Sequence, residues 1–392
     1  MGTISGWEDL LESAESVLRS NEVSYEGRRV VIPHSEAYPY PFCWDTAFHV
    51  LALSRLRPEA ARENVEALLT LQREDGMIPN SPSKDYDMDL RSQPPVIAYA
   101  ALDYYKVTGD KVALRRWYGR LKKYVRWWGR EGAIFKRINL ISPLSGSRDS
   151  RDLAFKAICS TGLDNHPTYD FCEGRTFEIA GYYYIPGFDL LLSSTYALAL
   201  ESMAEIASIL GEPGEAMEFE GGLRSVKEDY NRYLWDEEDG FYFPLTWQGV
   251  KVKVRSLQAL TSLAAGIPDE ERAKRVVEVF RREFMSEYGP LTISKRDPKF
   301  MSPQPPWLRS KDPYYWRGPI WAPLTVLSYI GLKRYGRSGL AGEVARAFLR
   351  AVNRSGFAEY FTPEGDVGGS KLKDFSWTAA AAAFFIKELE GH

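Results

Sequence analysis

Apolar residues at helical spacing recur along almost the whole chain, and the segments that interrupt them alternate between long and short. The 3.6-residue period predicts helices over 5–21, 44–56, 58–73, 94–108, 110–131, 188–211, 213–233, 255–265, 268–285, 318–335, 337–354 and 374–389. Short joints fall at Arg57, Gly109, Glu212, Gly266-Ile267 and Gly336. Between them lie long loops, roughly 22–43, 74–93, 132–187, 234–254, 286–317 and 355–373. Antiparallel helices joined in this way put every short turn at one end and every long loop at the other. Six such pairs closed into a ring form an (α/α)6 barrel with one plain and one decorated face. The expected fold is therefore all-α, an (α/α)6 barrel of twelve helices with long loops and a small β-hairpin on one face. The hairpin is predicted at "GFYFPLTWQGVKVKVR" (240–255) and a short strand at "RRVVIPH" (28–34). No Ser/Gly-rich linker or shift in composition divides the chain, so a single domain over 1–392 is expected. The uneven helices and the lack of a repeat signature argue against an open solenoid.

Composition narrows the function. The net charge of -3 offers no basic face for nucleic acid. Cys43, Cys159 and Cys172 follow no ligand or disulfide spacing, and His34, His49, His166 and His392 are scattered, so neither a disulfide framework nor a metal site is expected. The N-terminus reads as an acidic amphipathic helix rather than a signal peptide, and no apolar run approaches the roughly 18 residues of a membrane span. A cytoplasmic protein with no membrane or nucleic-acid partner is the expectation; homo-oligomerisation stays open. Aromatic residues make up 14% of the chain, with 11 Trp and 23 Tyr. Flat rings with polar edges suit sugar binding as well as they suit a large aromatic core.

The long loops hold the chemistry. "AYPYPFCWDTAFHV" crowds Tyr38, Tyr40, Phe42 and Trp44 around Asp45 where a helix begins, so Asp45 is either a helix cap or a carboxylate for sugar hydroxyls beside an aromatic platform. Gln93 precedes Pro94-Pro95 and points either to the rim or to solvent. "CSTGLDNHPTYDF" places Asp164, Asn165 and Asp170 in a stretch with no period, where turn chemistry and a reacting carboxylate are both open readings. "DPYYWRGPIWAPL" combines Tyr315, Trp316, Arg317, Gly318 and Trp321; plain core aromatics are the other reading, against which Arg317 would need a buried partner. Glu359 lies among Phe357, Tyr360 and Phe361, either as an edge-strand residue facing water or as a desolvated carboxylate of raised pKa.

In order along the chain, "CWDTAFH", "SQPP", "STGLDNHPTYD", "YYWRGPIW" and "AEYFTPEGD…FSWTAA" resemble glycoside hydrolase family 63 and its close relatives, which include mannosylglycerate and glucosylglycerate hydrolases and, more distantly, trehalases. The resemblance runs from about residue 38 to 385. It implies an (α/α)6 barrel and an inverting α-glycosidase acting on a small α-glucoside or α-mannoside, without cofactor or metal. Asp164 matches the family's general acid and Glu359 its general base, which leaves Asp170 a structural or turn role. Trp44 and Asp45 match the pair that holds the first sugar; Tyr315, Trp316, Gly318 and Trp321 match the aromatic and glycine positions of the "YWRGPIW" motif. Tyr38, Phe42, Gln93, Asn165 and Arg317 complete the candidate substrate-binding set. In an inverting enzyme the two carboxyls flank the sugar roughly 6.5–9.5 Å apart, leaving room for water. Two departures from the family, His166 after the Asp-Asn pair and "PEGDVGG" in the last loop, bear on the leaving group. Arg91, Arg255, Arg309 and Arg317 lie in rim loops and any of them could meet a glyceryl carboxylate, a solvated side chain being the default reading of the first three. A trehalase-like hydrolase, a sugar epimerase or lyase, and a sugar-binding relic on the same barrel are the alternatives.

Overall fold

The computed structural model describes residues 5–135, 137–308, 310 and 312–391. Its helices are α1 (Ser5–Ser20), α2 (Cys43–Leu56), α3 (Pro58–Thr70), α4 (Ile97–Thr108), α5 (Lys111–Trp127), α6 (Leu153–Ile158), α7 (Leu190–Leu210), α8 (Pro213–Asp229), α9 (Gln258–Ala264), α10 (Glu270–Glu283), α11 (Ala322–Arg334), α12 (Ser338–Ser355) and α13 (Ser376–Glu390). All twelve predicted helices are present; α6 is an addition inside the longest loop. α11 starts at Ala322 rather than 318, because Gly318 has a φ of +143° and Pro319 follows. α4 starts at Ile97 because consecutive prolines disfavour helical geometry in the residue before each.

Six helices form an inner ring that closes on itself: α2 packs on α4, α4 on α7, α7 on α9, α9 on α11, α11 on α13, and α13 back on α2. The sequence explains which helices go inside. Every residue of α9, and all of α2 from Cys43 to Ser54, is buried. α13 is buried from Ser376 to Ile386, through its run of alanines. Helices apolar all round cannot sit at a surface. The outer partners carry an apolar stripe on a charged body: in α10, Ala273, Val276, Val279 and Phe280 are buried between exposed Glu, Lys and Arg. α3, α5, α8, α10 and α12 cover the ring, and α1 covers α13.

Because each short joint runs from an inner helix to an outer one, the N-terminal ends of all six inner helices open toward the long loops. Little sheet decorates this face. The strand predicted near 28–34 is Arg28–Val31, paired antiparallel with Glu22–Tyr25 through a Glu26-Gly27 turn. The 240–255 stretch does not close on itself as one hairpin. Phe241–Tyr242 pairs backward with Trp235–Asp236, and Leu245–Thr246 pairs with Gly187–Phe188, while Leu245 also bridges Lys251. Pro244, which has no N–H to donate, divides the run. Among the described residues no helix is long and apolar enough to cross a membrane.

Candidate active site

The inner-helix N-termini and the loops before them enclose a narrow pocket of ≈ 70 Å³. It is lined by Pro33, Tyr38, Phe42, Trp44, Asp45, Gln93, Gly162, Asp164, Tyr315, Trp316, Glu359, Phe375 and Trp377. Trp44 and Asp45 come from the first turn of α2. Phe42 holds the cap position of that helix, so Asp45 is not its cap; it faces the pocket instead. The Trp44 backbone N–H donates to Gln93 Oε1 at 3.2 Å, which fixes the Gln93 amide at the wall.

Asp164 is placed by the turn before it. Gly162 has a φ of +74°, and a Cβ there would lie 2.5 Å from Trp44 Cζ2. Only glycine lets this backbone lie flat on the Trp44 indole, and two residues later Asp164 enters the pocket. The Trp44 ring also packs against Phe48, Trp316 and Trp377.

Glu359 sits just before α13 and is 1% exposed. The Tyr315 hydroxyl donates to its Oε1, and Trp377 Nε1 donates to its backbone carbonyl at 2.8 Å. Its Oε2 is buried and makes no hydrogen bond within the chain. Burial pushes Glu359 up to about 7, against hydrogen bonding by Ser370, Tyr315 and Tyr38 that favours the ionised form; the charge of Asp164 adds to the rise. Burial also raises Asp45 to about 8, with Glu359 and Asp164 adding to it. Asp164 is raised by burial against the pull of the Arg91 charge and of the Cys159 thiol. The Tyr38 and Tyr315 phenols are pushed well up, by burial and by facing Glu359, and remain protonated donors. Three carboxyls thus share one aromatic-walled pocket and oppose one another's ionisation, the electrostatics expected of acid–base work near neutral pH.

Of the thirteen candidate residues, Tyr38, Phe42, Trp44, Asp45, Gln93, Asp164, Tyr315, Trp316 and Glu359 line the pocket. Four do not. Asn165 is a latch: its Nδ2 donates to Gln304 Oε1 and the Asp312 carbonyl, both at 3.0 Å, and its Oδ1 accepts from the Trp316 N–H at 2.8 Å. Arg317 is 1% exposed and makes a bidentate pair with Asp170 at 2.9 and 2.8 Å, with further bonds to Ser302 and the Asn165 carbonyl. This is the buried partner a core Arg317 requires, and it gives Asp170 its structural role. Trp321 is stacked between Trp316, at 3.7 Å, and Tyr360, at 4.5 Å, so it backs the pocket wall rather than forming it. Gly318 admits Phe300 and Met301: a Cβ there would lie 2.8 Å from Met301 Sδ. The close approach is to the protein's own side chains.

His166 is fully buried, bonded to Thr168 Oγ1 at 2.8 Å and Ser256 Oγ at 3.1 Å; burial pushes its pKa down to about 3, so it is a neutral tie between the third loop and the entry to α9. Arg255 is engaged by Glu283 and Asp239. Arg309 lies outside the described residues. Pro33, Gly162, Phe375 and Trp377 are pocket residues absent from the candidate set. Three of them sit inside recognised motifs, the GLDN turn and "FSWTAA", which was the available signal. Among the described residues no group of three or more His, Cys, Asp or Glu is arranged to hold a metal ion.

The family model of the mannosylglycerate hydrolase MGH1-like glycoside hydrolase domain matches residues 38–378. The chain is 27% identical to mannosylglycerate hydrolase MGH1 of Selaginella moellendorffii, over 94% of this chain and 84% of that protein. It is 26% identical to the mannosylglycerate hydrolase of Rubrobacter radiotolerans, over 95% of this chain and 96% of that one. The crystal structure of the GH63 mannosylglycerate hydrolase from Thermus thermophilus in complex with Tris and D-glycerate has the same fold, with a TM-score of 0.79 at 22% identity, covering 96% of this chain and 99% of that one. With a closed double ring of helices, and a family match running from the aromatic loop before α2 into the first turn of α13, this chain belongs to the mannosylglycerate hydrolase MGH1-like glycoside hydrolases.

Proposed function

We propose that the protein is an inverting α-glycosidase that removes one hexose, glucose or mannose, from a small α-linked glycoside. The observation that carries this reading is the pair Asp164 and Glu359, raised by burial and brought to one aromatic pocket from loops far apart in sequence. Protonated Asp164 gives its proton to the glycosidic oxygen as the C–O bond breaks. Ionised Glu359 takes a proton from water, which attacks the anomeric carbon from the opposite face; the free Oε2 is the oxygen available to that water. Trp44 and Trp316 enclose the ring, and Asp45 accepts hydrogen bonds from its hydroxyls. The names of the relatives support a hexosyl-glycerate among the substrates.

Hydrolysis of α-glucosylglycerate, α-mannosylglycerate, trehalose, kojibiose and nigerose, with the product followed by NMR, tests the reading. The expected first product is the β-anomer, and Asp164→Asn and Glu359→Gln each lower kcat by about 10³-fold or more while the circular dichroism spectrum is unchanged. Initial release of the α-anomer, or full activity in either variant, overturns it.

A further inference from the structure

On the α-glycosidase reading, the acid and the base must be held apart by the width of a sugar and a water. Asp164 and Glu359 belong to the third and sixth loops, so their spacing depends on how these two loops are fastened. The residue that follows each carboxyl in the chain supplies the fastening, and both lead to Asp312 in the fifth loop. Asn165, next to Asp164, donates through Nδ2 to the Asp312 carbonyl at 3.0 Å. Tyr360, next to Glu359, donates from its hydroxyl to Asp312 Oδ2. The same Asp312 carbonyl accepts the Tyr315 N–H at 3.3 Å, closing the turn that presents the Tyr315 hydroxyl to Glu359. The Tyr314 N–H, donating to Asp312 Oδ1 at 2.8 Å, holds that turn from inside.

The base side of this junction is built tightly. Tyr360 is 1% exposed; its ring stacks on Trp321 at 4.5 Å and meets Tyr315 edge-on at 5.1 Å. Its hydroxyl also accepts from the Ser370 N–H at 3.1 Å, so it serves as donor and acceptor at once. Against it lie the two glycines of "PEGDVGG", with the Gly368 N–H donating to the Tyr360 carbonyl at 3.0 Å. A Cβ on Gly368 would run into the Tyr360 ring, and one on Gly369 into the Asp312 carboxylate. Neither glycine has a positive φ. They are required by what lies against them and not by the backbone, and together they make room for the bond from Tyr360 to Asp312. A phenol donating to a carboxylate is among the stronger hydrogen bonds a protein makes. Asp312 thus joins the acid loop through its main chain and the base loop through its side chain.

We propose that Asp312 is a positioning residue that sets the gap between Asp164 and Glu359, by its carbonyl on the acid side and its carboxylate on the base side.

The test measures kcat and KM on the α-glycoside that the wild type hydrolyses fastest, with inhibition by the hexose product. Tyr360→Phe keeps the ring on Trp321 and removes the bond to Asp312. It is expected to lower kcat on the order of 10²-fold, the cost of a misplacement near 1 Å, with KM and product inhibition within about threefold of the wild type. Asp312→Asn, with one acceptor oxygen for two donors, falls between. Added to Tyr360→Phe it costs nothing further, because its oxygen still serves the Tyr314 N–H and the bond it weakens is already gone. Gly369→Ala leaves both partners in place, drives the Asp312 carboxylate away and reproduces the Tyr360→Phe loss. Losses that multiply in the double variant, a KM that rises while kcat holds, or wild-type kcat in Tyr360→Phe and Gly369→Ala each overturn the proposal. Should Tyr360→Phe fold poorly, Gly369→Ala and Asp312→Asn decide by the same split between kcat and KM. Full activity of Asp164→Asn or Glu359→Gln would instead remove the α-glycosidase reading on which the proposal rests.

Discussion

The hydrogen bond from Tyr315 to Glu359 is one of those, with Ser370 and Tyr38, that oppose the effect of burial on this carboxyl. Removing that donor leaves burial less opposed, so Tyr315→Phe raises Glu359 further above about 7. A hydrogen bond to a charged group is worth roughly 1.5–3 kcal/mol, or about 1–2 pH units. The acidic limb of the kcat/KM profile is expected to move up by about one unit, with the plateau lowered less than tenfold; an unmoved limb would detach Tyr315 from the base. The same carboxyl costs stability. Unfolded, Glu359 ionises above about 4.3; folded, it keeps its proton up to about 7. Between those values the folded state binds more protons, so stability falls as pH rises through the window. Asp45, raised to about 8, behaves alike. Glu359→Gln and Asp45→Asn are therefore expected to melt higher than the wild type at pH 8, by on the order of 1–3 kcal/mol, and to show no gain at pH 4, as thermal unfolding at both pH values would reveal. At this scale motif order singled out Asp164 and Glu359, two carboxyls that the fold gathers in one pocket. It could not separate Arg317 from a ligand-binding cation, because the distinction rests on Asp170, a pairing that spacing does not display.

Loops of this length hold a pocket only if they are fastened to one another. The third and fifth loops are tied by Asn165 to Trp316, Gln304 and Asp312, and by Arg317 to Asp170, with Lys299 adding a bond to Asp170 at 2.9 Å. Asp170→Asn leaves the buried Arg317 charge poorly compensated, which costs about 3–5 kcal/mol. The expected outcome is a fall in denaturation midpoint, with residual activity at low temperature retaining the wild-type pH optimum; a changed optimum would instead bring Asp170 into the chemistry. Elements were legible where one rule governed them. Short joints force antiparallel neighbours, and all-apolar helices must be inner ones. The divided strands around Pro244 and the short α6 were not legible, since their partners, such as Gly187–Phe188, lie far off in sequence.

On the scale of the molecule, the alternation of long and short joints was sufficient to anticipate the barrel, because closure is the arrangement that buries six apolar helices at once. What the alternation could not supply is the depth of each loop residue, which is why Asn165, Gly318 and Trp321 were expected at the substrate but do not line the pocket. The ring also has a seam. α13 packs against both α1 and α2, so the last helix of the chain joins the first two. During synthesis the N-terminal staves emerge with their inward faces uncovered, and they stay so until nearly the whole chain has been made. Closure thus depends on contacts between the most distant parts of the chain, the kind that form slowly and leave intermediates open to aggregation. The architecture that buries the active-site end so completely obliges its oldest helices to wait for the youngest.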